Sequence, residues 1–93
     1  MPNGAKMKIL KNGKLYDNAN PKWVVIAEYT NGEEKHIVYR ATDGNFIEYT
    51  RTVLKTYVPT PPVENLTVLS EQRAYEVLNN FRGTVDYGKF EEA

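Results

Sequence analysis

The side chains able to do chemistry are few in this chain. It contains one serine, Ser70, and one histidine, His36, and no cysteine. Thiolate metal sites, disulfide scaffolds and cysteine nucleophiles are therefore excluded together. A Ser-His-acid arrangement would have to combine Ser70 with His36, and no nucleophile-elbow pattern surrounds the serine. Ser70 precedes an apolar-periodic run and reads as a helix N-cap. His36 sits on a strand beside Val38 and Arg40 and reads as a packing or surface residue. Asp17, Asp43 and Asp86 fall in turns or termini, and no pair of acids has metal-ligand spacing. The six glycines are scattered singly, which excludes a phosphate-cradling loop. No cofactor and no metal is expected.

Glu28 and Glu48 form the one carboxylate pair with a candidate geometry. If their strands flank the strand of Arg40, the two carboxylates share a face about 10 Å apart, given strand spacing. Arg40 then lies between them, as a salt-bridge ladder or, on the sharper reading, as an acid/base pair. Seven tyrosines stand out: Tyr16, Tyr29, Tyr39, Tyr49, Tyr57, Tyr75 and Tyr87. Tyrosine gives large, stiff contact area with a polar tip, which suits interfaces. Tyr29, Tyr39 and Tyr49 read as cross-strand packing.

The elements that must position these residues follow from turn chemistry and periodicity. Asn12-Gly13, Asn31-Gly32 and Asp43-Gly44 each suit a tight hairpin turn. The runs around them read as strands: Met7 to Lys11, Lys14 to Asp17, Lys22 to Thr30, Lys35 to Thr42, and one from Asn45. Met7, Ile9 and Leu15 are expected to share a buried face, with lysines on the other. Trp23, Val25, Ala27 and Tyr29 are expected to oppose Val24, Ile26 and Glu28. Ile37, Tyr39 and Ala41 likewise oppose His36, Val38 and Arg40. The stretch from Thr50 to Val58 continues the fourth strand or forms a fifth. Pro59, Pro61 and Pro62 then read as a stiff connector between layers.

A helix is expected from about Glu71 to Arg82. Ser70 caps it, and Leu69 staples onto Ala74. Ala74, Val77, Leu78 and Phe81 share one face, and Gly83 ends the helix in the left-handed region. Residues 84–93 show no clear period and read as a tail that either frays or docks through Tyr87 and Phe90, with Glu91-Glu92-Ala93 frayed. The expected fold class is α+β: an antiparallel β-meander of four or five strands with one C-terminal helix packed on the sheet. Ninety-three residues make one domain. A helix on one face leaves the other open. Arg40, Arg51, Glu28, Glu48 and His36 on that face, with Tyr57, are the candidate partner-binding residues.

Lys+Arg and Asp+Glu are both 12, so the net charge is zero. Residues 1–24 hold five lysines against one aspartate, and residues 59–93 three basic against six acidic groups. A basic N-terminal hairpin can touch phosphates; lysines on a strand edge also block edge-to-edge pairing. The longest apolar run, Trp23 to Ala27, is five residues, too short to span a membrane as a helix. No signal-peptide stretch opens the sequence. A cytoplasmic location is the expectation.

Several short segments carry a family likeness. They are Met7-Lys8-Ile9, Gly13-Lys14-Leu15-Tyr16-Asp17, Ala27-Glu28-Tyr29, Tyr39-Arg40-Ala41-Thr42, Gly44-Asn45-Phe46, and Leu69-Ser70-Glu71 with Ala74. In this order, from Met7 to Phe81, they resemble a family of small uncharacterised bacterial proteins of phages and conjugative elements. Where that family carries a glycine-rich turn, this chain has Thr50-Arg51-Thr52-Val53. The resemblance implies a fold and a mobile-element setting, with Met7 as the usual start and residues 1–6 as a flexible leader. It brings no activity and no catalytic residues. The functional expectation is a non-catalytic, stoichiometric protein-binding module with a host- or element-encoded partner. In that setting it is an inhibitor of a host defence system, such as an anti-CRISPR protein. The alternative is a small nucleic-acid-binding accessory that stacks bases on a Tyr/Arg sheet face.

Overall fold

The computed structural model describes residues 7–93. The leader expected at residues 1–6 lies outside the described residues. The chain forms β1 (Lys8–Lys11), β2 (Lys14–Asp17), β3 (Val24–Thr30), β4 (Glu34–Arg40), β5 (Phe46–Thr52) and β6 (Val63–Leu69). Helix α1 (Glu71–Asn79), β7 (Thr84–Val85) and a short 3-10 turn (Tyr87–Lys89) follow. Five strands make one sheet in the order β6-β5-β4-β3-β7, with every neighbouring pair antiparallel. Strands β1 and β2 form a separate hairpin. The fold is α+β, a meander followed by one helix, as the sequence predicts.

The turn dipeptides act as their chemistry requires. Asn12 and Gly13 both take positive φ, 53° and 74°, as a two-residue type I′ turn demands. Gly44 lies at φ 89°, and Asp43 Oδ1 accepts the Asn45 N–H beneath it at 2.9 Å. Asn31 Oδ1 accepts the backbone N–H groups of Glu33 and Glu34, which closes the β3–β4 connection.

Strand β6 departs from the expected layout. The prolines are not a bridge between layers. They end at the first residue of another strand, which pairs with β5 along its whole length from Thr52↔Val63 to Phe46↔Leu69. Strand β5 stops at Thr52, and residues 53–62 form a long connection. β6 carries apolar residues on both faces and two polar ones on the helix side, so its period is weak in sequence.

Both faces of the sheet are covered. On one, Tyr39, Ile47, Tyr49 and Leu66 form a core with Tyr16 from the hairpin, against which Met7, Ile9 and Trp23 pack. On the other, Val38, Phe46 and Leu69 meet Ala74 and Leu78 of the helix. The face expected to be open is therefore closed by β1–β2. Leu15 is not among the buried residues; it pairs with Leu10 on the outer side of the hairpin, and Tyr16, paired with Ile9, turns inward instead. The strict alternation expected along β3 is also broken. A bulge between Val25 and Ala27 shifts the register, so Trp23 and Val25 face the hairpin while Ala27 faces the helix.

Ser70 caps α1 as predicted, its Oγ accepting the Arg73 N–H at 3.1 Å. The helix ends earlier than expected, at Asn79 with Asn80 as C-cap. Phe81 lies beyond it yet still packs on the helix-side core. Gly83 serves close approach, not a left-handed cap. A Cβ there would collide with the Glu28 carbonyl oxygen and stand 2.6 Å from Tyr29 Cβ. That approach lets β7 pair with Ala27 and Glu28 at the far edge. Of the two readings of the tail, docking holds through residue 90: Asp86 N–H donates to Ile26 O at 2.8 Å, and the Phe90 ring stacks on Phe46 at 6.3 Å, while Tyr87 stays exposed.

Candidate functional site

The ladder register decides where the candidate residues lie. Glu28 stands opposite Ile37, and Glu48 opposite Val38. Consecutive residues of a strand point to opposite faces, so the two carboxylates lie on opposite faces of the sheet. The one-face carboxylate pair with Arg40 between does not form. Arg40, His36 and Glu48 share the helix side, while Glu28 and Arg51 share the hairpin side. Arg40 holds its guanidinium 4.9 Å from the centre of the Phe46 ring. Arg51 pairs with Glu64, directly opposite on β6, at 3.6 Å. Tyr39 and Tyr49 are buried beneath the hairpin, so the sheet does not offer the bare Tyr/Arg face that base stacking would need.

His36 belongs to a polar cluster that the sequence reading does not identify. Its Nε2 lies 3.3 Å from Glu34 Oε2, two residues along the same strand. The same carboxylate oxygen accepts from Arg82 Nη2 at 2.9 Å. The Arg82 guanidinium in turn stacks 4.7 Å over the Tyr29 ring, itself 6.0 Å from the imidazole. A groove of about 340 Å³ opens here between the sheet and the C-terminal end of α1, with Glu48, Arg73 and Glu76 also on its walls. The carboxylate is shared between the Arg82 guanidinium and the His36 imidazole, and the cluster pins the segment after the helix to β4. The sequence reading sets His36 beside Val38 and Arg40 and misses both Glu34, two residues away, and Arg82, 48 residues from Glu34. Among the described residues, no group of three His, Cys, Asp or Glu side chains converges as a metal site would.

A second cluster latches the hairpin. Asp43 Oδ2 accepts from the Tyr16 hydroxyl at 2.8 Å, from Lys14 Nζ at 3.3 Å and from Asn45 Nδ2 at 3.1 Å. Burial pushes the Asp43 carboxyl up, but the hydrogen bonds from Asn45, Tyr16 and Lys14 outweigh it and hold the group below its usual range. Nearby, burial raises the Tyr39 hydroxyl to about 12, with the Tyr49 and Glu28 charges adding to the effect.

The side chains left in solvent lie elsewhere. Leu10 and Leu15, 79% and 59% exposed, form an aliphatic pair on the hairpin's outer side. In the β5–β6 connection, Tyr57 is fully exposed, Val58 is 71% exposed, and Leu54 is also out. The start of that connection is held to the β3–β4 turn: Val53 N–H donates to Glu33 O at 2.7 Å, and Lys55 pairs with Glu33. Thr60 Oγ1 donates to Val58 O at 3.0 Å. Tyr57 is thus the one sequence candidate that stands on an open, apolar surface.

What these features define is a five-stranded antiparallel sheet between a hairpin and a helix, with its most exposed apolar side chains, Tyr57 and Leu10, in the β5–β6 connection and on the hairpin. No protein-family model matches the chain, and no curated protein or solved structure matches it. No helix among the described residues is long and apolar enough to cross a membrane.

Proposed function

We propose that this chain is a non-catalytic, stoichiometric protein-binding module whose contact segment is residues 54–62. The observation that carries this reading is the Tyr57 side chain standing wholly in solvent on a proline-stiffened arm. Val58, Thr60 and Pro61 each precede a proline, which disfavours helical backbone there, and the three proline rings fix φ, so the arm has few conformations open to it before any partner arrives. A pre-ordered arm loses little conformational entropy on docking, and its tyrosine supplies the kind of anchor that dominates protein interfaces. The residues that a reaction would recruit are committed elsewhere: Ser70 caps α1, and His36 faces a carboxylate already shared with Arg82.

The resemblance to phage and conjugative-element proteins makes the partner a host- or element-encoded protein. An inhibitor of a host defence complex, such as an anti-CRISPR protein, is the concrete form. The test titrates the purified chain onto CRISPR effector complexes and other defence nucleases and follows target cleavage. The expected result is inhibition that saturates at one chain per complex and is lost in Tyr57→Ala/Val58→Ser, a variant that stays folded. Binding to bare nucleic acid with a steep salt slope, unchanged in that variant, would overturn the proposal in favour of a nucleic-acid accessory.

A further inference from the structure

We propose that the outer edge of β6 pairs with β6 of a second copy, joining two five-stranded sheets into one of ten strands. The inference does not rest on the partner-binding reading above; it begins from how each strand edge is protected. An unpaired edge presents a row of N–H and C=O groups, and folded chains blunt such edges with lysines, prolines, bulges or very short strands. The opposite edge of the sheet is β7, two residues long and followed at once by a 3-10 turn. The β1–β2 hairpin has four-residue strands that carry Lys8, Lys11 and Lys14. Strand β6 lacks the lysines, the bulge and the short length that blunt the others; its one charge is Glu64, and β1 lies beside it. It runs seven residues, Val63–Leu69, with no lysine, no proline and no register shift against β5. Among the described residues no strand pairs with its other side.

The sequence of β6 also fits itself. An antiparallel register centred on Leu66 sets Leu66 against its copy, Asn65 against Thr67, Glu64 against Val68 and Val63 against Leu69. All seven residues pair, and no like charges face each other. The single charge, Glu64, is already matched by Arg51 on β5 at 3.6 Å. Partner residues in an antiparallel pair share a face, so the two hairpins fall on one side of the joined sheet and the two helices on the other.

The test exploits that register with two variants of the full chain that differ only at position 65. Asn65 and Thr67 are exposed. In Asn65→Lys/Thr67→Lys, each introduced lysine would face another across the dyad. In Asn65→Glu/Thr67→Lys, each would face a carboxylate. Sedimentation equilibrium over about 10–500 µM is expected to show the native chain moving toward twice 10.7 kDa as concentration rises. The Lys/Lys variant should raise the dimer dissociation constant at least about tenfold, and the Glu/Lys variant should dimerise at least as well as the native chain. Should the Lys/Lys variant fail to fold, amide exchange of native β6 decides: its outward amides should slow as concentration rises. A native chain of single mass throughout, or equal dissociation constants for the two variants, would overturn the proposal.

Discussion

Asp43 shows how much one side chain can hold. Its two oxygens accept from the Asn45 backbone, the Asn45 amide, the Tyr16 hydroxyl and Lys14, tying the β4–β5 turn to the hairpin that roofs one core. Replacing it with Asn keeps the shape but removes the charge and leaves the Tyr16 hydroxyl with a weaker partner. Asp43→Asn should cost about 1–2 kcal/mol, read from urea unfolding near neutral pH. Because the folded carboxyl titrates below its unfolded value, the native chain carries this stability above the ordinary aspartate range and loses it as pH falls through the folded value. The variant should lack that component, so the two stability curves should converge in acid. In sequence, Asp43 was legible only as a turn residue. Its partners Tyr16 and Lys14 lie 27 and 29 positions away, and nothing local ties them to it. Ser70, by contrast, was fully legible, because a cap acts within its own first turn.

At the scale of elements, local chemistry carried the reading and long-range fit did not. The Asn12-Gly13 turn, the Ser70 cap and the alternation of β4 are written in adjacent residues, and all three appear as expected. The β3 bulge, the inward turn of Tyr16 and the docking of β7 depend on what packs against them, so periodicity misplaced each. Gly83 makes the point testable. As a mere helix terminator it would accept Ala at small cost. As a point of contact with β3 it cannot, because the added methyl would meet the Glu28 carbonyl and Tyr29. Gly83→Ala should destabilise by about 1–3 kcal/mol and loosen the amides of β7 in hydrogen exchange. A thermal midpoint equal to that of the native chain would refute the close approach. Leu78→Ala tests the layer beneath: Leu78 is buried with Ala74 against Val38 and Phe46, and its truncation should cost about 2–4 kcal/mol in denaturant unfolding.

For the whole molecule, the proposed contact segment and the packed cores are different parts. The two cores lie above and below the sheet, and neither includes any residue from 54 to 62. The connection could therefore be shortened without touching packed apolar surface. Excising residues 56–61 and joining Lys55 to Pro62 through Asn-Gly keeps the Val53 bond to Glu33 and the Lys55–Glu33 pair. Loop-closure entropy changes only with the logarithm of length, so unfolding free energy should move by less than about 0.5 kcal/mol. Partner inhibition, if the arm is the contact segment, should vanish in the same variant. The sequence marked this region by its prolines but read them as a strut between layers, because a proline run looks alike whether it spans a gap or projects from a hairpin. A large loss of stability on excision would mean that the arm belongs to the fold. Full activity in a stable, shortened chain would move the contact surface to the Leu10–Leu15 side of the hairpin, the other place where paired apolar side chains stand exposed.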